Sequence, residues 1–145
     1  MLLVVDTNIL FTFFWKYSST KDLLIKHKLF APELSLSEIN KYSSEIMLKT
    51  GISKQQFSSM KEKLLSFVEF APIEQYKLYL KEAESLSRGL SKEEISEFVK
   101  DVDFFALALK FKCPIWSNDK LFKKQSVIDV FNTREIIELS TFLVE

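Results

Sequence analysis

An α/β fold with a parallel sheet covered on both faces is what this sequence predicts, and three observations carry the prediction. Short apolar runs alternate with longer stretches of helical periodicity along the chain. Hairpin signals are almost absent, because the 145 residues include only two glycines and three prolines. The composition is 47% hydrophobic, yet no apolar run approaches the roughly 20 residues of a membrane span, so the apolar residues go into one continuous core. The length suits a single domain over residues 1–145.

The elements follow in order. LLVV (2–5) reads as a buried strand, followed by a helix to about residue 15 that is rich in Phe11, Phe13, Phe14 and Trp15. A helix near 19–27 leads to a short strand at 29–31, which Pro32 ends. Ser35 opens a helix to about Leu48 with Ile39, Tyr42 and Ile46 on one stripe. Residues 53–67 read as a helix, 68–71 as a short strand, and 72–87 as a helix stopped by Gly89. Ser91-Lys92-Glu93-Glu94 is a capping box opening a helix to Val99. Residues 101–112 are helical, CPIWS (113–117) is a strand and 119–124 a helical turn. SVIDVF (126–131) is the last strand and 133–139 the last helix.

Charge and cysteine content narrow the function classes. Twenty basic residues balance twenty acidic ones, so no bulk field draws in nucleic acid or an anionic membrane, and a phosphate-bearing partner must be held locally. The single Cys113 excludes an intramolecular disulfide and suits a reducing compartment. Asp6 interrupts the apolar start too early for a secretory signal, and a cytoplasmic protein without membrane attachment is expected. Neither an internal repeat nor a glycine-rich phosphate loop is present.

The chemistry concentrates in carboxylates at strand ends. In open parallel sheets, functional groups gather where strands turn into helices. Asp6 ends the first strand, where Asp6 or Thr7 could also simply cap a helix; Asp119 ends the CPIWS strand within Ser117-Asn118-Asp119. Glu38 lies at the border of the Ile39/Tyr42/Ile46 stripe, although Ser35-Leu36-Ser37-Glu38 also reads as a capping box. In KDVDFF (100–105), a rotation of 100° per residue sets Asp101 on the face of Phe104, Phe105 and Ala108. The same rotation sets Asp103 with Lys110, toward solvent. Two carboxylates about 5 Å apart repel by roughly 3 kcal/mol at an effective dielectric near 20. Four converging on one edge therefore require protonation or a cation. Without a His or Cys cluster that cation is a hard one, Mg²⁺ or Mn²⁺.

The stretches VVDTNIL (4–10), PELSLSEI (32–39), KDVDFFALAL (100–109) and PIWSNDKLF (114–122) together resemble the PIN-domain ribonucleases. The resemblance spans nearly the whole chain. It implies a three-layer α/β/α domain with a five-stranded parallel sheet, and a Mg²⁺- or Mn²⁺-dependent endonuclease acting on RNA. Many small single-domain members are toxins of toxin–antitoxin pairs, the VapC-like group. By motif, Asp6, Glu38, Asp101 and Asp119 would be the metal-holding acids, with Asn8 and Ser117 orienting the first aspartate. Asp103 adds a carboxylate two residues from Asp101, and pattern leaves open which of the two ligates. An activated water would attack the phosphodiester in line, leaving a 5′-phosphate and a 3′-hydroxyl. Lys100, Lys120, Lys123 and Lys124 flank the site as phosphate contacts or as ordinary solvated lysines.

Other residues read as structural: His27 as a surface residue, Asp129 as solvent-facing on an edge strand, Cys113 as a small strand residue. The FTFFW cluster (11–15) carries more aromatic faces than one buried stripe needs, which suggests a homodimer or an antitoxin contact. Two rivals remain. A haloacid-dehalogenase-type phosphotransferase wants a second Asp where Asn8 stands, and a receiver domain wants an acidic pair before the first strand's Asp. A non-catalytic PIN-like binding module has no use for the repulsion of an intact acidic set.

Overall fold

The computed structural model describes residues 1–144, with side chains through Thr141. Strand β1 (Leu2–Val5) leads through helices α1 (Thr7–Trp15) and α2 (Tyr17–Leu24) to β2 (Lys28–Pro32). Helices α3 (Glu33–Lys41), α4 (Ser43–Thr50) and α5 (Lys54–Phe67) precede β3 (Val68–Ala71). Two 3₁₀ turns (Ile73–Gln75 and Lys77–Tyr79) then give way to α6 (Leu80–Ser85), α7 (Lys92–Lys100) and α8 (Val102–Phe111). Strand β4 (Ile115–Trp116), a 3₁₀ turn (Lys120–Lys124), β5 (Val130–Phe131) and α9 (Thr133–Val144) complete the order.

The sheet has five strands in the order β3-β2-β1-β4-β5, and every pairing is parallel. Register is set by pairs such as Leu3 with Leu29 and Val5 with Trp116. The period of two along β1 divides the core. Leu3 and Val5 face a cluster with α1, α2, α4 and α5, whereas Val4 faces a second cluster built around α8. Continuous apolar strands, buried on both faces, are what a parallel sheet between helical layers requires. The winding reverses direction between β1 and β4, so the crevice of such a sheet opens at their carboxyl ends.

Several boundaries differ from the sequence reading, each for a physical reason. The helix expected over 35–48 is two helices broken at Tyr42 (φ −96°, ψ 14°), where the weak helix formers Ser43 and Ser44 follow. Ile39 and Ile46 stay buried while Tyr42 swings out to 37% exposure. The helix expected over 72–87 is two 3₁₀ turns and a short α6, because Tyr76 is drawn into the core. The strand expected over 126–131 shrinks to Val130–Phe131. Buried Gln125 bonds the backbone at Phe122, Val127 and Ile128, outcompeting a ladder there. The Ser91/Glu94 capping box forms as read.

His27 is a correction. It is buried, and its Nε2 lies 2.8 Å from Ser140 Oγ on α9. Ser140 Oγ donates to the Ile136 carbonyl, so the imidazole presents Nε2–H as donor and Nδ1 is left without a partner. Asp129 is exposed and lies just before β5, its carbonyl accepting from Ile115 N–H. Cys113 is buried and its thiol is pushed up to about 11 by burial, which suits an inert residue, but it lies in the loop before β4 rather than in the strand expected over 113–117. No helix among the described residues is long and apolar enough to cross a membrane.

Candidate active site

Asp6 is the residue immediately after β1, its N–H donating to the Trp116 carbonyl at 2.9 Å. The question of capping is answered by its side chain. Asp6 occupies the N-cap position of α1, but no first-turn N–H makes a well-formed hydrogen bond to its carboxylate. Instead Oδ2 accepts from Ser117 Oγ at 2.7 Å, and both residues are buried. Ser117 Oγ in turn accepts from the Asp119 N–H at 3.1 Å. One buried hydroxyl thereby ties the carboxyl ends of β1 and β4 together at the switch point. Asn118 Oδ1 accepts from Thr133 N–H at 2.8 Å, fastening the same loop to α9.

Asp119 is exposed, and its Oδ1 accepts from Leu121 N–H at 2.9 Å to start the 3₁₀ turn. Glu38 is half-buried on α3. The capping box proposed for it does not form, because α3 begins at Glu33 rather than after Ser35. Ser35 is fully buried and hydrogen-bonds Thr7 across 2.8 Å, which fixes α3 against α1 one turn before Glu38. This Thr7–Ser35 link was not apparent in the sequence.

Asp101 sits between α7 and α8, capping neither with its side chain. It is a junction residue rather than a member of the α8 face, yet it still meets the other acids. Its carboxyl is pushed up to about 7, first by burial and then by the charges of Asp6, Asp119, Glu38 and Glu97. Burial also raises Asp6, with Asp119 adding to it. The Ser117 hydrogen bond and the nearby N–H groups of Asn8 and Thr7 pull the other way. Glu38 is raised by burial and by Asp6, with Lys41 opposing. Glu97, one turn before Asp101, was missed in the sequence; it is exposed and pairs with Lys100 at 3.0 Å.

Asp103 departs from expectation. It is half-buried rather than solvated, and its Oδ2 accepts from the Tyr76 hydroxyl at 2.5 Å. Tyr76 is raised by burial and by this bond. Asp103 Oδ2 is thus engaged by Tyr76, whereas the charges bearing most on Asp101 are those of Asp6, Asp119 and Glu38. Asn8 meets Asp6 through its backbone, its side chain being exposed. Of the flanking lysines, Lys123 pairs with Glu135, Lys124 with Glu94 and Lys100 with Glu97.

The donor set is all carboxylate oxygen, which suits a hard divalent cation. Asp6, Glu38 and Asp101 each sense the charge of another of the four acids, but the carboxylates are not drawn together. Among the described residues, no group of three His, Cys, Asp or Glu side chains is arranged to hold a metal ion as the side chains stand. Glu38 is half-buried and Asp119 exposed, the latter tied at Oδ1 by the Leu121 N–H.

Comparison with known proteins gives two matches of different reach. A chain in the crystal structure of VapBC2 from Rickettsia felis bound to a DNA fragment from their promoter superposes with a TM-score of 0.65 at 20% identity. The match covers 91% of this chain and 98% of that one, and it shows a common fold. No curated protein sequence matches significantly. The PIN domain family matches residues 4–139, which takes in both strand-end aspartates, Glu38 and Asp101. The chain belongs to the PIN domain family.

Proposed function

We propose that this protein is a Mg²⁺- or Mn²⁺-dependent endoribonuclease whose catalytic acids are Asp6, Glu38, Asp101 and Asp119. The observation that carries the reading is the gathering of these acids at the β1/β4 switch point, where the charges of Asp6, Asp119 and Glu38 add to burial in raising Asp101 to about 7. Side-chain capping accounts for neither Glu38 nor Asp101, and the one strong bond of the Asp6 carboxylate runs to Ser117 rather than into α1. A divalent cation bound there supplies Lewis-acid activation of water and neutralises charge on the phosphoryl oxygens. Asp6, oriented by Ser117, and Asp119, oriented by its own backbone turn, are the acids best placed to hold it. Asp101, on which the charges of the other three acids bear, would complete the set that holds the cation or take the proton of the attacking water. Lys120 is an exposed cation beside Asp119 that can meet a substrate phosphate.

A role as the toxin of a toxin–antitoxin pair, cytoplasmic and partnered by an antitoxin or by a second copy of the chain, draws support from the VapC-like motifs and from the fold shared with VapBC2. Incubation with single-stranded RNA and Mn²⁺ tests the chemistry. Fragments should carry 5′-phosphates, and Asp6→Asn should abolish cutting. Fragments ending in 2′,3′-cyclic phosphate would mean that the RNA hydroxyl is the nucleophile and would overturn the hydrolytic mechanism. Expression of the parent chain, but not of Asp6→Asn, should arrest growth of a bacterial host; arrest by both would remove nuclease activity as the cause.

A further inference from the structure

We propose that the cleft between α1 and α4, beside the acidic cluster, is a stacking site for one unpaired RNA base. The cleft encloses about 400 Å³ and is lined by Asn8, Phe11, Trp15, Glu38, Tyr42 and Lys49. Trp15 is 43% exposed and Tyr42 37% exposed, whereas the other tryptophan, Trp116, is 1% exposed. The rings are held in place by one another. Phe11 stacks parallel to Trp15 with centroids 6.4 Å apart, and Tyr42 meets Phe11 edge-on at 6.1 Å. An aromatic platform ordered before the ligand arrives loses little freedom when a base settles on it.

The occupant follows from charge and continuity. Lys49 Nζ lies over the Trp15 ring, 5.4 Å from its centroid, and Lys41 Nζ over that of Tyr42 at 5.4 Å. A base settling on either ring displaces a flexible lysine side chain, whose charge is then beside it to meet a phosphate. Glu38 and Glu45 also line the cleft, which disfavours a phosphate inside it while leaving acceptors for a base's amino groups. An uncharged, flat, π-faced group with anions on either side matches a nucleotide whose base is inside and whose phosphates lie outside. Glu38 belongs both to this cleft and to the acidic cluster, so the nucleotide held here adjoins the phosphodiester presented to Asp6 and Asp101. The inference rests on the nuclease reading and names its substrate class: RNA with an unpaired nucleotide next to the cut. Bases within a duplex are stacked on each other and cannot reach the rings.

Tryptophan emission tests this without any cleavage. A single-stranded octaribonucleotide titrated in EDTA should quench Trp15 saturably, because Trp116 is shielded, and the same sequence as a duplex should not. Trp15→Ala should abolish the quenching. Tyr42→Ala should weaken affinity by roughly 5- to 100-fold, the range of one base–aromatic stack. Trp15→Phe, followed by anisotropy of a labelled RNA, should bind within a few-fold of the parent where Trp15→Ala does not. Both positions are exposed, and a melting curve establishes that each variant folds. RNA affinity unchanged in Trp15→Ala and Tyr42→Ala, or equal quenching by duplex, would overturn the proposal and leave the cleft to a protein partner. Cleavage persisting alongside that result would leave the nuclease reading standing. Quenching without metal-dependent cleavage would reject the nuclease reading while upholding the base site.

Discussion

The two ends of the sheet each bury a titratable group, and they do so in opposite ways. At the carboxyl end Asp6, Glu38 and Asp101 are raised, and part of every shift comes from another carboxylate. At the amino end, just before β2, His27 is lowered by burial first, then by the chain's amino terminus and Lys26. Burial is common to both ends. At the amino end a single imidazole bonds Ser140 through Nε2 and joins α9 to the sheet, with no other titratable side chain but Lys26 bearing on it. At the carboxyl end the charges of Asp6, Asp119, Glu38 and Glu97 bear on Asp101 and only Lys41, beside Glu38, opposes the repulsion, which is destabilising unless something cationic arrives. Desolvation alone therefore marks structure; desolvation combined with mutual like-charge repulsion marks a binding site.

The largest effect should come from removing one member of the acidic set. Asp101→Asn should lower RNA cleavage by at least about 100-fold, in the range of losing general-base catalysis, while circular dichroism stays that of the parent. His27→Gln should cost stability but leave cleavage within a few-fold. Cation binding comes next. Mn²⁺ at about 100 times its Kd should stabilise the protein by roughly 2.7 kcal/mol, a rise in melting midpoint of roughly 5–10 °C. Asp6→Asn and Asp101→Asn should lose that rise, and His27→Gln should keep it.

The pH dependence should then slope in opposite directions for the two ends. A raised carboxyl contributes stability that is present below its unfolded pKa and lost as pH rises through its folded value. The metal-free protein should therefore lose stability between about pH 4 and 7 through Asp101, with Asp6 and Glu38 acting in the same direction. The lowered imidazole acts oppositely: its contribution is full above about pH 6.5 and declines as pH falls below that. Thermal melts across pH should show Asp101→Asn flattening the first slope and His27→Gln the second. Smaller again is Asp103→Ala, which strands the Tyr76 hydroxyl and should cost about 1–3 kcal/mol in denaturant unfolding with cleavage within a few-fold. Lys123→Ala breaks an exposed pair with Glu135 and should shift stability by less than about 1 kcal/mol, less still at high salt.

How far the sequence revealed this molecule depends on whether a feature is local. Asp6 and Asp119 were legible because strand ends can be read from apolar runs and parallel order from the absence of hairpins; their adjacency follows from the β1/β4 switch point. Ser117 was legible only as a motif position, since its bond to Asp6 spans 111 residues of sequence. Asp101 was chosen over Asp103 by helical phase, but it is a junction residue outside α8, and Asp103 turns toward Tyr76. Periodicity cannot see a partner supplied by another element. The same limit explains His27, whose charged neighbours suggested a surface while Ser140, far along the chain, draws it inside. Gln125 carried no signal at all, because side-chain bonds to its own loop leave no period to read.

The central claim is that the acids at the carboxyl end form a cation site and those elsewhere do not. Titration calorimetry with Mn²⁺ at pH 6.5, repeated in buffers of different ionisation enthalpy, tests it most directly, because ligation by raised carboxyls must expel their protons. The parent should bind with release of roughly one-half to one proton, given Asp101 at about 7, and the release should vanish above about pH 8. Asp101→Asn should bind more weakly and release almost none. Absence of binding, or binding whose proton release is unchanged in Asp101→Asn, would contradict the account.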